Sequence, residues 1–274
     1  MNDWNSGTIF EAQDLSYTYS GDIVGLSKVS FQIHKGETVA LVGANGSGKS
    51  TLLKLMDGLV FPSDGQLLAF GQPLTEKALQ DPDFVHQFRR RVGLVFQEPD
   101  VQLFSPTVWD EVTFGPLQLR ISSAEANSMG QKALQLLGIE HLKERPPYLL
   151  SGGEKKKVAL ASVLALQPQV LLLDEPTNDL DPRGQGNLID FLLGWSAQGS
   201  TLVFSTQDLD LVEEVANRVI VLGTEHGIVA DGKPEEYLND PDFLIRTNLD
   251  HEHSHRHKDI IHRHRHTPGH EHEQ

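Results

Sequence analysis

Nine consecutive residues, Gly43-Ala44-Asn45-Gly46-Ser47-Gly48-Lys49-Ser50-Thr51, have the types and spacing to hold a chain of phosphates. They complete the pattern G-x-x-x-x-G-K-[ST]. Glycines at 43, 46 and 48 let the backbone curl so that successive N–H groups face inward toward anionic oxygens. Lys49 supplies a point charge for the β- and γ-phosphates, Ser50 a ligand for Mg²⁺, and Thr51 a hydroxyl near the α-phosphate. A glycine turn joining a strand to a helix would need neither the lysine nor the hydroxyls.

A second reactive pair, Asp174-Glu175, closes the apolar run Val170-Leu171-Leu172-Leu173. Asp174 is placed to hold Mg²⁺ through water, and Glu175 to polarise an attacking water. Gln97 ends another apolar run, where a side chain can reach a γ-phosphate or Mg²⁺. Tyr19 lies upstream of the glycine loop, where its ring can either stack on adenine or pack as an ordinary sheet residue. Ser151-Gly152-Gly153-Glu154 opens a further helix: Ser151 and Glu154 make a capping box, and the two glycines leave bare N–H groups that could face an anion.

These groups need scaffolding, and the chain around them alternates strand and helix patterns. Thr38 to Val42 is a buried strand running into the glycine loop, and Leu52 to Met56 begins the helix after it. Ile9 to Tyr19 and Val29 to Ile33 read as partners about a turn at Ser20-Gly21-Asp22. Further strands are expected at 66–70, 92–96, 170–173, 201–205 and 219–222. Helices are expected at 82–91, 122–138, after Ser151, around 188–195 and at 209–217. Alternation of this kind implies an α/β fold with a mostly parallel sheet and right-handed crossovers.

At 274 residues the chain can bury one good core with an inserted subdomain. No apolar run approaches the length of a membrane span, and the N-terminus has no secretory pattern, so a cytoplasmic location is expected. With no cysteine, disulfides and thiolate metal sites are excluded. The formal charge is −15, from 23 basic and 38 acidic residues. Such a surface repels phosphate backbones, and no nucleic-acid partner is expected.

The end of the chain differs in material. From residue 251 on it carries nine of the thirteen histidines: His251, His253, His255, His257, His262, His264, His266, His270 and His272. Interleaved with Glu, Ser, Arg and Lys and almost without apolar partners, the segment reads as disordered. Imidazoles at every second position can wrap Ni²⁺, Co²⁺, Cu²⁺ or Zn²⁺. A purification tag or a solvated polar tail are the other readings.

The glycine loop, Gln97, the Leu150–Glu154 segment, the Asp174-Glu175 pair and the turn at Asp181 occur in the order and spacing of ABC transporter ATPase subunits, which the chain resembles from about Ile9 to Tyr237. The resemblance implies a P-loop NTPase core with an N-terminal antiparallel β subdomain and an inserted helical subdomain at about 102–157. The ATPase domain would fill 1–245 and the histidine-rich tail 246–274. It also implies two cassettes packed head to tail, as a homodimer or with a similar ATPase, on Mg-ATP. Ser151 and Gly153 of one subunit would then face the γ-phosphate held by the other. In that frame Tyr19 stacks on adenine, Gln97 senses γ-phosphate, Asp181 sits at the subunit interface and Glu175 is the general base. The inserted helices would dock onto integral-membrane subunits, placing the protein peripherally on the cytoplasmic face of the membrane.

The stretch from Gln97 to Pro116 resembles the energy-coupling factor importers of vitamins and transition metals, and the histidines tilt the choice toward cobalt or nickel. One residue departs from the family: Gln207 stands where a switch histidine is usual. Glutamine can hydrogen-bond a phosphate oxygen but cannot shuttle a proton. The alternatives are an ATPase of another ABC transporter, for a vitamin or zinc, and a nucleotide-gated binding module with impaired hydrolysis.

Overall fold

The computed structural model describes residues 7–249, 252–257 and 260–265. The chain runs β1 (Thr8–Tyr19), β2 (Ile23–His34), β3 (Thr38–Val42), α1 (Lys49–Met56), β4 (Asp64–Ala69), β5 (Gln72–Pro73), α2 (Pro82–Arg91) and β6 (Val92–Val95). It continues through α3 (Val108–Gln118), α4 (Ser123–Leu136), α5 (Gly152–Leu164), β7 (Val170–Asp174), α6 (Pro182–Ala197) and β8 (Thr201–Thr206). Last come α7 (Leu209–Val215), β9 (Arg218–Leu222), β10 (Ile228–Gly232), α8 (Pro234–Leu238), α9 (Pro241–Arg246), β11 (Glu252–His257) and β12 (Ile260–Arg265).

Two sheets form the body of the fold. The antiparallel sheet has the order β2-β1-β4-β5, and the larger one the order β10-β9-β3-β8-β7-β6. In the larger sheet β9, β3, β8, β7 and β6 are parallel, and only β10 runs against its neighbour. Strands β3, β6, β7 and β8 are buried at every position, so their sequences are unbroken apolar runs capped by polar residues.

The two-residue period of a strand divides these runs between two cores. Val39, Leu41, Val170, Leu172 and Val203 face the core shared with α1 and the antiparallel sheet. Ala40, Val42, Leu171, Leu173, Leu202 and Phe204 face the core made with α5, α6 and α7. Because β3, β6, β7 and β8 are parallel, their carboxyl ends lie along one edge of the sheet. The residues that follow them, 43–51, 97, 175 and 207, are thereby collected at that edge.

Helices α3, α4 and α5 form a third cluster around Val108, Val112, Leu134, Leu142 and Val158. Helix α3 was not legible as a helix, because Gly115 and Pro116 interrupt it in sequence. Its start is fixed by Thr107, whose hydroxyl accepts from Asp110 N–H. Its first turn is tied down by buried Glu111, whose carboxylate accepts from the N–H groups of Phe104 (2.9 Å) and Ser105 (2.7 Å). Residues 140–149 contain two short 3-10 turns, and α7 stops at Val215 rather than 217. The packed chain continues past 245: Thr247 is buried, and Leu249 lies against the second core.

In the tail, β11 and β12 pair antiparallel, with His253 opposite His264 and His255 opposite His262. Disorder is the sequence expectation for 246–274, and within that stretch the structure describes this ribbon. Alternation of residue types at period two, which composition alone does not weigh, is the pattern of a strand; a lone two-stranded ribbon is nonetheless marginal in water. His251, His266, His270 and His272 lie outside the described residues.

Candidate nucleotide site

The glycine loop takes the shape its composition permits. Gly48 has φ 110° and caps α1, and a Cβ there would lie 2.4 Å from the Gly25 carbonyl oxygen. At Gly43 a Cβ would stand 2.4 Å from Ser47 Oγ and 2.6 Å from the Leu222 carbonyl oxygen. The tight path puts α1's first N–H groups, which have no partner within the helix, at the mouth of a cleft of about 610 Å³. Ser47 Oγ is buried with no hydrogen-bond partner among the described residues. A buried polar atom of this kind calls for a ligand.

Lys49 is buried, and its ammonium donates to the carbonyls of Gly43 at 2.7 Å and Ala44 at 3.3 Å. Burial pulls its pKa below the usual lysine range, opposed by Glu175 and Asp174. The Glu175 carboxylate stands 3.7 Å from the same ammonium. For Glu175 burial pushes the pKa up, against the pull of Lys49 and of the Gln207 backbone N–H, while Asp174 raises it further. Its backbone has φ 45°, in the left-handed region that is costly for a side-chain-bearing residue.

Asp174 is the hub of a small network. Its Oδ1 accepts from Ser50 Oγ at 3.0 Å and from Ser205 Oγ at 2.6 Å. The Ser205 hydroxyl in turn accepts the Glu175 N–H at 2.9 Å. Gln207 Nε2 donates to Asn45 Oδ1, tying the end of β8 to the glycine loop. Gln97 is exposed and lines the same cleft. Tyr19 lines it too, more than a third exposed, held edge-on to Tyr17 with ring centroids 4.8 Å apart and bonded through its hydroxyl to Thr51 Oγ1 at 2.7 Å.

The donor set fits Mg-ATP. Ser50, Asp174 and Gln97 offer hard oxygens, and among the described residues no group of three or more His, Cys, Asp or Glu is arranged to hold a metal alone. Mg²⁺ ordinarily binds through one or two carboxylates together with the substrate's phosphates, so a site of this kind completes itself only with nucleotide.

Ser151, Gly152, Gly153, Glu154 and Asp181 do not line this cleft. Ser151 caps α5, its N–H and hydroxyl donating to Glu154 Oε2 at 2.8 and 2.7 Å, and Ser151 Oγ accepting from Glu154 N–H at 3.4 Å. Asp181 caps α6, accepting from Gly184 N–H at 2.7 Å. Besides Ser205, two residues had no signal in the sequence. His226 lines the cleft with its Nδ1 buried and without a partner among the described residues. Lys156 reaches the Glu175 backbone. The first sits in a hairpin and the second in a run of three lysines, so neither had a local signal.

The sequence matches the family described as ABC transporter over residues 26–178. The chain belongs to the ABC transporter family, as an ATP-binding subunit. It is 50% identical over 228 residues to the nickel import ATP-binding protein NikO of Rhodobacter capsulatus, covering 82% of this chain and 89% of that protein. Its fold resembles cbiO1 from Clostridium perfringens, described as part of the ABC transporter complex cbiONQ, with a TM-score of 0.74, 35% identity and coverage of 89% and 96%. It also resembles the dimeric post-hydrolysis ATP-binding cassette MJ0796 bound to ADP and Pi, with a TM-score of 0.74, 26% identity and coverage of 82% and 99%. As an ABC ATPase the chain hydrolyses ATP in support of transport, with dimerisation and membrane subunits as its setting. Among the described residues no helix is long and apolar enough to cross a membrane.

Proposed function

We propose that two copies of this chain close head to tail on two Mg-ATP molecules and drive an energy-coupling factor type importer for nickel or cobalt. Lys49 and the loop from Gly43 to Thr51 hold the phosphates from one side. The Ser151–Glu154 turn of the other copy approaches from the opposite side, with Asp181 at the interface. Tyr19 stacks on adenine. Ser50, Asp174 and Gln97 would hold Mg²⁺, which when bound would supply positive charge to offset that of the terminal phosphate oxygens.

Glu175 accepts the proton of the attacking water, and burial makes its carboxylate a stronger base than a free glutamate. Gln207 orients toward the γ-phosphate without proton exchange. Binding energy closes the pair and hydrolysis reopens it. The carrying observation is that one cleft gathers Lys49, Gln97, Glu175 and Gln207 while Ser151 and Asp181 stand outside it. Those two then have a role in the site only across a dimer.

The exposed Val101, Phe104, Phe114 and Leu117, with the two phenyl rings 4.8 Å apart, support docking of membrane subunits beside Gln97 and hence a peripheral place on the membrane's cytoplasmic face. The NikO relative and the tail histidines support nickel or cobalt, with Ni²⁺, Co²⁺ or Zn²⁺ held by the tail. Reconstitution with the membrane subunits in vesicles tests this reading. Uptake of labelled Ni²⁺ or Co²⁺ that needs ATP and is lost in Lys49→Ala supports it, whereas uptake of a vitamin without metal uptake overturns it.

A further inference from the structure

Lys156 lies on α5 two residues beyond the capping box formed by Ser151 and Glu154, and more than nine-tenths of it is buried. Its ammonium donates to the backbone carbonyl of Glu175 at 2.9 Å and to that of Asn178 at 2.9 Å. The Glu175 carbonyl also accepts from the Asn178 N–H at 3.3 Å, and the Glu175 N–H is held by Ser205. The peptide groups on both sides of the Glu175 Cα are therefore clamped, at a residue whose left-handed φ of 45° needs support from its surroundings. Lys156 is the part of that clamp that comes from α5.

Burying an ammonium is costly, and burial pulls this one's pKa below the usual lysine range against the opposing pull of Asp179, Glu175 and Asp174. A structural filler at that position could be apolar, whereas this one spends its charge on two carbonyls. The same helix end touches the same segment a second time, since a Cβ at Gly153 would sit 3.5 Å from Leu180 Cδ2.

We propose that Lys156 is a positioning residue that carries the state of one nucleotide site to the other. The inference rests on the head-to-tail pairing above, in which the Ser151 end of α5 belongs to the partner's nucleotide site while Glu175 belongs to its own. Any shift of α5 when the partner's nucleotide is gripped is then passed, through one buried side chain, to the peptide groups that aim Glu175. Each copy becomes hydrolytically competent when its neighbour's site is filled, and turnover depends on ATP with positive cooperativity.

The test measures turnover against ATP concentration for the intact chain, Lys156→Met, Lys156→Gln and Lys156→Arg, with nucleotide affinity measured separately by fluorescent ATP. Lys156→Met is expected to lower kcat about tenfold or more and to bring the Hill coefficient to 1. Nucleotide affinity should change less than about twofold, and Lys156→Arg should restore part of both losses. Lys156→Gln, which can donate to one carbonyl at a time, is expected between them and serves if Lys156→Met does not fold.

Equal kcat and an equal Hill coefficient in the intact chain and the variants overturn the proposal while leaving the paired sites standing. Loss of nucleotide affinity in step with kcat overturns it as well, by making Lys156 a structural residue only. An intact chain that neither pairs with ATP nor shows cooperativity overturns the head-to-tail reading itself.

Discussion

The Ser205 hydroxyl donates to Asp174 Oδ1 across 2.6 Å while accepting the N–H of Glu175, so one side chain on β8 orients both acids at the end of β7. It is fully buried, and no water can take its place without room. Ser205→Ala leaves a buried N–H unpaired, and denaturant unfolding should show a loss of about 1–3 kcal/mol. Turnover should fall with it, and Ser205→Thr should recover much of both.

As the proposed general base, Glu175 should give the enzyme its pH dependence. Burial raises the pKa of this carboxyl, and only the ionised form can accept a proton, so acidification removes the base earlier than for a free glutamate. The acid limb of kcat/KM should therefore lie above the ordinary glutamate range, with activity rising as pH rises through it. An acid limb at or below that range would contradict the assignment.

Gln207 is bound to Asn45 and borders the cleft but cannot become cationic. Gln207→His should raise kcat about a hundredfold, at the low end of what a positioned proton carrier contributes, and Gln207→Ala should lower it. Steady-state turnover at saturating Mg-ATP measures both. An unchanged kcat in the two variants would remove Gln207 from the reaction.

His226 should matter for binding rather than for chemistry. Its buried Nδ1 has no partner among the described residues and the ring lines the cleft. His226→Ala is expected to raise the KM for ATP severalfold, within the worth of one hydrogen bond, and to leave kcat nearly unchanged.

Asp57 sets a pH term in stability remote from the reaction. Buried against Arg89 at 2.8 Å, its carboxyl is pushed up to about 6 by desolvation, with Arg89 opposing. The folded state then holds a proton that the unfolded chain releases near its ordinary value of 3.8. The stability this group contributes is full below that value and is lost as pH rises through about 6. The stability difference between the wild type and Asp57→Asn should shift by about 2 kcal/mol between pH 4 and 7, in the direction of relative wild-type loss at the higher pH.

What the sequence revealed follows the range over which each signal acts. The loop from Gly43 to Thr51 and the Ser151–Glu154 box are local, with glycines, lysine and hydroxyls at fixed offsets, and the structure has both where their spacing puts them. The buried strands were legible because both faces are apolar. Helix α3 was hidden by Gly115 and Pro116, since its stability comes from Val108 and Val112 in the third cluster rather than from helix propensity.

Lys156 was hidden by its neighbours. Lys155 ends in an exposed pair with Asp100, and only the helix phase, known once α5 packs, turns Lys156 inward to Glu175. The pairing of the tail strands was not legible because their alternation of histidine with charged residues leaves no apolar face, the usual mark of a strand that packs.

The proposed joint grip of two copies on each triphosphate is tested most directly by the solution mass of Glu175→Gln with and without saturating Mg-ATP. Light scattering should show a monomer without nucleotide and a dimer with it, no ATP turnover, and loss of the dimer when Ser151→Arg is added. A monomer at saturating ATP, or pairing that ignores Ser151→Arg, would contradict it.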